Sequence, residues 1–293
     1  MNKILILGST GMLGLSMIHK FNSINQKKFT TWGMIRDENS LNKMKYFKNV
    51  KFIYDSNYLE PNRIEKHIKK IKPDFIINCV GIVKQKKSKM IELINVNSIF
   101  PHQLSIISNK FKAKLIHFST DCVFSGKKGN YLEQNLPDPI DFYGLSKLMG
   151  EPNHQYFLTI RTSLIGHGLY SNQSLVDWYL EQKKTVNGFK KAYFTGFPVN
   201  TIADIVYTNL IPNFKNGLYH LSSKKIDKYK LLKLIKKIYS AGPIIVEENK
   251  TKIDRSLKGE LFNKVFGYKF NSWSAQIKSM KSYYDEINEF IRK

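Results

Sequence analysis

The feature that most constrains this chain is a four-residue apolar run, Ile4-Leu5-Ile6-Leu7, that passes directly into Gly8-Ser9-Thr10-Gly11-Met12-Leu13-Gly14. A short continuous apolar run bounded by glycine reads as a strand buried on both faces. Three glycines at intervals of three then let the backbone turn sharply and open a helix that reaches about Phe21. The alternation continues. Phe29 to Ile35 reads as a second strand and Val50 to Tyr54 as a short third, followed by an amphipathic segment carrying Ile64, Ile68 and Ile71. Pro73-Asp74 opens a fourth strand, Phe75 to Val80. A helix follows from about Met90 to Asn109, then strands at Lys114 to Phe118 and Phe157 to Arg161. Apolar strands separated by helices indicate a parallel sheet covered on both sides, a doubly wound (Rossmann-type) α/β domain.

After Thr162 the rhythm breaks. A Ser/Asn-rich loop at Ser171 to Ser174 precedes a helix carrying Trp178, and Tyr193 to Asn200 contains a Gly-Phe-Pro turn. Ile202 to Leu210 looks helical, Gly217 to Leu221 looks like a strand, and a Lys-rich helix lies around Leu231 to Ile238. Ile277, Met280, Tyr284, Ile287 and Ile291 form a terminal stripe suited to core packing. The expected division is a Rossmann domain at 1–165 with a returning segment near 196–222. A small C-terminal substrate-binding lobe would comprise 166–195 and 223–293.

Composition narrows the class of partner. The chain has 293 residues and a formal charge of +24, yet only five of its 47 basic residues are arginines. Base readout favours arginine, and the lysine runs at Lys84 to Lys89 and Lys224 to Lys237 carry few aromatics for stacking. They read as solvated surface rather than a nucleic-acid face, though they could steer an anionic substrate. No apolar run is long enough to span a bilayer, and the opening apolar stretch is too short for a secretory signal, so a cytoplasmic protein is expected. Cys79 and Cys122 form neither a disulfide framework nor a zinc pattern and read as buried thiols. His117, His167 and His220 are isolated among apolar neighbours and read as structural; no metal site is expected.

Three positions carry chemistry. The glycine turn at a first strand–helix junction can cradle a pyrophosphate, so Gly8, Thr10, Gly11, Met12, Leu13 and Gly14 are candidate cofactor contacts, with Val80 and Gly81 after the fourth strand. The spacing is Gly-x-x-Gly-x-x-Gly, not the commoner Gly-x-Gly-x-x-Gly; a ligand-free tight turn is the alternative. Arg36, ending the second strand, suits a 2′-phosphate and favours NADP(H), while Asp37 keeps NAD(H) open. Asp55 is placed either to touch the adenine or to serve as a turn residue. Ser119-Thr120-Asp121 falls on the carboxyl edge of the fifth strand, where ligands bind in open α/β sheets. Tyr143 and Lys147 lie four residues apart in a helix, on one face. A phenol titrates near pH 10, and a nearby cation lowers that value, so the pair makes a tunable acid.

Together, the glycine turn, a Ser/Thr at strand five and Tyr-x-x-x-Lys resemble the extended short-chain dehydrogenases/reductases over the whole chain. Ser119 to Gly126, Tyr143 to Glu151 and Arg161-Thr162-Ser163 resemble the dTDP-4-dehydrorhamnose reductase branch more narrowly. The resemblance implies that Thr120, Tyr143 and Lys147 are catalytic. Tyr143 would protonate the sugar oxygen as a hydride from NAD(P)H reaches carbon 4, and Lys147 would hold the nicotinamide ribose and lower the Tyr143 pKa. Thr120 would orient the carbonyl. It also implies substrate contacts at Asp121, Cys122, Ser163, Leu164 and Arg255, the last toward the diphosphate or in a surface ion pair. Cys122 stands where the branch has Tyr and Leu164 where it has an aromatic, which opens the choice of sugar. The sugar dehydratases carry Thr-Asp-Glu, and Cys122 is a poor substitute for that base.

The function expected is therefore an NADPH-dependent reductase of a nucleotide-linked 4-keto-6-deoxy sugar in surface polysaccharide biosynthesis. Alternatives are an epimerase or dehydrogenase on a related sugar nucleotide, or a cofactor-binding regulatory subunit resembling that of methionine adenosyltransferase. The expected partner is a small-molecule sugar nucleotide, not nucleic acid or membrane; a homodimer is left open as the assembly.

Overall fold

The fold was read from a computed structural model that describes residues 2–24, 28–84, 88–152, 156–168 and 174–291. Most of the Ser171 to Ser174 loop and the middle of the Lys84 to Lys89 run lie outside the described residues. In the first half, β1 (Asn2–Leu7), α1 (Met12–Asn22), β2 (Phe29–Ile35), α2 (Glu38–Met44), β3 (Val50–Tyr54), α3 (Pro61–Ile71) and β4 (Phe75–Asn78) follow one another. A continuous helical stretch comprises α4 (Met90–Leu93), a π-helical segment (Ile94–Ile99) and α5 (Phe100–Lys110). Then come β5 (Lys114–Thr120), α6 (Phe142–Met149) and β6 (Phe157–Thr162). The second half holds β7 (Leu164–Ile165), α7 (Leu175–Glu181), β8 (Val186–Phe194), β9 (Phe197–Pro198), α8 (Val199–Ile205) and β10 (Gly217–His220). It ends with β11 (Ile226–Asp227), α9 (Lys228–Tyr239), β12 (Ile245–Asp254), α10 (Glu260–Phe266) and α11 (Trp273–Ile291).

Seven strands form one parallel sheet in the order β10-β6-β5-β4-β1-β2-β3. Alternate residues of β1 explain its unbroken apolar run. Ile4 and Ile6 join one core cluster, while Leu5 and Leu7 join another on the opposite face. The first cluster takes in α1 and α8, the second α3 and α5. Each fully buried Ile or Leu contributes about 1.5–3 kcal/mol relative to exposure. Strand order reverses at β1, whose neighbours are β2 and β4, so the glycine turn after β1 sits at the switch-point crevice.

A second, three-stranded sheet, β11-β8-β12, packs with α7, α9 and α11 around a third cluster centred on Tyr179, Leu231, Ile277 and Met280. Its two long strands were not anticipated. β12 reads Ile-Val-Glu-Glu-Asn-Lys-Thr-Lys-Ile-Asp and is mostly exposed, so no apolar run marks it. It is held by backbone pairing to β8 across a shift in register between Glu248 and Lys252. Among the described residues, no helix is long and apolar enough to cross a membrane.

Candidate active site

The glycine turn divides its labour. Gly8 adopts φ +75°, and a Cβ there would lie 3.0 Å from the Cys79 carbonyl group. A Cβ on Gly14 would sit 2.0 Å from the Gly8 carbonyl oxygen, so this glycine lets α1 pack on the turn. The Leu13 side chain is likewise buried in the core, which leaves only its backbone to the turn. Gly11 differs: its nearest atom would be 3.4 Å away, and it is exposed at the start of a helix with no side-chain cap. Thr10 and Met12 flank it, partly exposed. Gly81 is similarly open, 3.5 Å from Asn97 Oδ1 and 3.9 Å from Lys147 Nζ. Asn78 Oδ1 accepts the Val80 N–H, fixing the strand end beside it.

The Gly8 N–H donates to the Tyr58 hydroxyl, and the charge of exposed Arg36 reaches that phenol. Arg36 therefore stands at the rim of the turn. Asp37 is occupied as the N-cap of α2, accepting from the Asn39 N–H and the Ser40 hydroxyl. Asp55 does not face solvent. Its carboxylate is buried and accepts from Arg63 twice, His67 and the Asn57 N–H, using all four lone-pair directions. Burial alone would raise its pKa, but Arg63 and His67 outweigh this and hold it down at about 2.

At the carboxyl end of β5, the Thr120 hydroxyl accepts from the Cys122 N–H and donates to Asp121, both at 3.2 Å. It also interacts with the Tyr143 phenol. This approach requires Gly144, where a Cβ would lie 2.2 Å from the Cys122 carbonyl oxygen. Asp141 starts the helix by accepting the Gly144 N–H, and Lys84 donates to its other oxygen at 2.7 Å. At the far end, Gly150 lies against the Asn97 carbonyl, 1.8 Å from where a Cβ would stand. Asn97 sits in the π-helical segment, bonded to both backbone groups of Ile82 and to Ser146. A widened turn of this kind commonly marks a functional site.

Lys147 is buried, donating to the Phe118 carbonyl at 2.7 Å. Burial lowers its pKa to about 8, while Glu151 pulls the other way. Glu151 is held bidentately by Arg161, at 2.9 and 2.7 Å, and accepts from Ser119. The Tyr143 phenol is pushed well above its ordinary value, first by burial and then by Cys122, Asp121 and Asp141; the Thr120 bond opposes this. This reverses the expected depression by Lys147, because desolvation penalises the phenolate and the ammonium is turned toward Phe118.

Asp121, Cys122, Ser163 and Arg255 converge beside Thr120. Burial raises the Asp121 pKa, against the Ser163 hydroxyl and the Arg255 charge. Arg255 Nε donates to the Phe124 carbonyl at 2.9 Å, and its Nη1 lies 3.8 Å from the Cys122 sulfur. Arg255 is therefore neither a surface ion pair nor remote from the chemistry. Leu164 is not in this group: it pairs with Phe197 in β7–β9 and packs on the main core. Cys79 and Cys122 are free thiols of intermediate exposure, Cys79 packed on the main core, and burial raises Cys122 to about 12. His167 and His220 are bonded through both ring nitrogens, but buried His117 keeps only Asn78, leaving Nε2 without a partner.

Lys84, Asn97 and Glu151 were missed as site residues. Lys84 lies in a run read as solvated surface. Glu151 closes the family-like stretch and could have been singled out there.

A Rossmann-type sheet with a glycine turn at its switch point, and Thr120 and Tyr143 meeting over buried Lys147, defines an extended short-chain dehydrogenase/reductase. Within that class the chain belongs to the RmlD substrate binding domain family, whose model matches residues 1–285. It is 30% identical over 128 residues to dTDP-4-dehydrorhamnose reductase of Escherichia coli (strain K12), covering 41% of this chain and 42% of that protein. It is 26% identical over 155 residues to methionine adenosyltransferase 2 subunit beta of Danio rerio, covering 51% and 42%. The matched stretches thus span about two-fifths of these curated relatives' length. Among solved structures, dTDP-4-dehydrorhamnose reductase from Bacillus anthracis str. Ames in complex with NADP superposes with a TM-score of 0.77 at 18% identity, covering 96% of this chain and 99% of that one. The dTDP-glucose 4,6-dehydratase of the same organism, in complex with NAD, gives 0.79 at 14% identity, covering 100% and 99%.

Proposed function

We propose that this protein is an NADPH-dependent reductase of a nucleotide-linked 4-keto-6-deoxy sugar, acting in surface polysaccharide biosynthesis. The observation that carries the reading is the close packing of α6 on the Thr120–Cys122 corner through Gly144, which sets the Tyr143 and Thr120 hydroxyls together at the sheet edge, with Lys147 buried on the Phe118 carbonyl. Two such donors can bracket one carbonyl oxygen. In this reading residues 1–165 and 196–222 hold the cofactor, and 166–195 and 223–293 close over the sugar.

The residues fit a dinucleotide. Gly11 and Gly81 are small without any protein atom demanding it, which leaves the backbone open to a ligand. Arg36 is exposed at the rim with no hydrogen-bond or ion-pair partner among the described residues, while Asp37 is committed to a helix cap, an arrangement that favours NADP(H) over NAD(H). NADPH, when bound, supplies the hydride. Thr120 orients the sugar carbonyl, and Tyr143 holds the proton its oxygen will need; the raised pKa keeps that phenol protonated through neutrality. Lys147, at about 8, is cationic below that pH and lowers the cost of negative charge on Tyr143. Ser163 and Asp121 line the sugar side.

Cys122 argues against dehydration. With a pKa near 12 its thiol stays protonated and cannot serve as the base that strips a carbon-bound proton. Likeness to methionine adenosyltransferase 2 subunit beta supports a second reading, a cofactor-binding regulatory subunit. Pairing as a homodimer has support in the exposed apolar side chains of α4, α5 and α6, where Met90, Ile91, Ile106, Phe142 and Met149 are each more than half exposed; a monomeric mass by light scattering would exclude it. The deciding experiment is NADPH oxidation against UDP- and dTDP-linked 4-keto-6-deoxy sugars, with the product identified. Stoichiometric oxidation and a reduced C4 are expected. No oxidation with any of them, alongside stable capture of a methionine adenosyltransferase catalytic subunit, would establish the second reading instead.

A further inference from the structure

A buried ion pair behind the cleft has no task in the chemistry described so far. Glu151 follows α6 one helical turn after Lys147, and Arg161 lies on β6; their side chains are only 6% and 5% exposed. The carboxylate is held on three sides. Its Oε1 accepts from Arg161 Nε at 2.9 Å and from the Ser119 hydroxyl at 2.5 Å, and its Oε2 accepts from Arg161 Nη2 at 2.7 Å. Arg161 is itself braced. It stands opposite Ser119 in the β5–β6 register, its Nη1 meets His220 Nε2 at 3.4 Å, and its guanidinium lies 5.2 Å from the centre of the Phe124 ring. Lys147 and Glu151 thus grip successive residues of β5, the Phe118 carbonyl and the Ser119 hydroxyl, and the next residue is Thr120. A buried ion pair seldom stabilises a fold more than well-packed apolar side chains of similar size, so stability alone does not account for this one.

Resting on the reductase reading, we propose that Glu151, braced by Arg161, is a positioning residue that locks the end of α6 to β5, fixing the separation of Tyr143 from Thr120 and the seat of the Lys147 ammonium. The helix meets this corner of the sheet at three points: Gly144 against the Cys122 carbonyl, Lys147 on Phe118 and Glu151 on Ser119. The first only limits approach, and the second hangs on a flexible four-carbon stem. The third is clamped by a planar two-point fork from β6, so it holds the helix against sliding and rotation. Glu151 also acts on Lys147 through space, favouring the ammonium against the burial that depresses its pKa. The other ionisable groups near that ammonium, His117 of β5 and Tyr143 of α6, stay neutral around pH 7 because burial opposes charge on each.

The test compares three variants with the parent protein: the apolar pair Glu151→Met with Arg161→Met, the single change Ser119→Ala, and Glu151→Gln. The apolar pair is expected to keep the parental melting temperature, yet to lose kcat on 4-keto-6-deoxy sugar nucleotides about ten- to hundredfold, as a displacement of about 1 Å would cause. The sugar KM and the NADPH affinity should barely move. Parental kcat in a stably folded apolar pair overturns the proposal. Should that pair melt early, Ser119→Ala decides, because it removes one hydroxyl and leaves the ion pair whole: a several-fold loss of kcat supports the lock, and parental kcat overturns it. Glu151→Gln keeps the side chain's shape but not its charge, so the alkaline limb of kcat/KM should move down by about one pH unit as the ammonium loses its carboxylate neighbour. A limb that stays in place also overturns the proposal, since packing alone would leave it there. The Lys147 titration can be followed without turnover, by NMR of isotope-labelled lysine side chains assigned with Lys147→Arg. A midpoint displaced by Glu151→Gln in a protein that reduces no keto sugar would sink the reductase reading and leave the positioning role standing.

Discussion

The two walls of the cleft are built differently. The glycine-turn wall is mostly backbone, drawn from a contiguous stretch between β1 and α1, with Gly81 added at the end of the neighbouring strand. The opposite wall is made of side chains, Lys84, Asp121, Cys122, Ser163 and Arg255, brought from four separate segments. A backbone cradle depends on conformations that glycine permits and tolerates little addition. A side-chain wall can exchange residues singly without disturbing the sheet behind it. In the proposed reading, generic cofactor binding falls to one wall and choice of sugar to the other.

The largest expected effect lies between the walls. Tyr143→Phe should cut kcat by about 10²–10⁴-fold while NADPH affinity stays within error, measured by stopped-flow turnover and fluorescence titration. An unchanged kcat would remove Tyr143 from the chemistry. In the parent protein kcat/KM should decline as pH rises through about 8, where Lys147 loses its proton. The sign follows from the depressed value: below it the ammonium supports charge on Tyr143, and above it that support is gone. Lys147→Arg should carry the plateau to higher pH, since a guanidinium keeps its proton.

A smaller pair of changes separates packing from ligand approach on the backbone wall. Gly14→Ala forces a Cβ to within 2.0 Å of the Gly8 carbonyl and should lower stability by about 1–3 kcal/mol, read as a fall in melting temperature. Gly11→Ala has room against the protein, 3.4 Å, and should keep the melting temperature yet weaken NADPH. Equal melting temperatures for the two variants would break the distinction drawn between them. The smallest effect belongs to the rim. Arg36→Ala should weaken NADPH about tenfold and leave NADH nearly untouched, measured as the ratio of dissociation constants. Equal weakening of both would remove Arg36 from cofactor choice.

Much of the first wall was legible beforehand because strand burial and glycine spacing are local properties. Ile4 to Leu7 had to be covered on both faces, and Gly8 with Gly14 had to permit a tight turn into a helix. Asp55 was legible only as an acid after a strand; its capture by Arg63 and His67, from the next helix, depends on how α3 packs. Leu164 was drawn toward the sugar by its place after Ser163, but its pairing with Phe197 commits it to the core. Lys84 was hidden for a statistical reason, being one lysine among many in a run with the look of solvated surface.

By itself the sequence determined the doubly wound sheet, the glycine turn at its switch point and the one-face placement of Tyr143 and Lys147, because these follow from periodicities of two and 3.6 residues. Only the tertiary structure decided that Lys147 turns to the Phe118 carbonyl, that burial raises rather than lowers the Tyr143 pKa, and that Arg255 reaches Asp121 and Cys122. Desolvation and charge contact depend on what packs against a group from elsewhere in the chain. Sequence spacing carries no record of that.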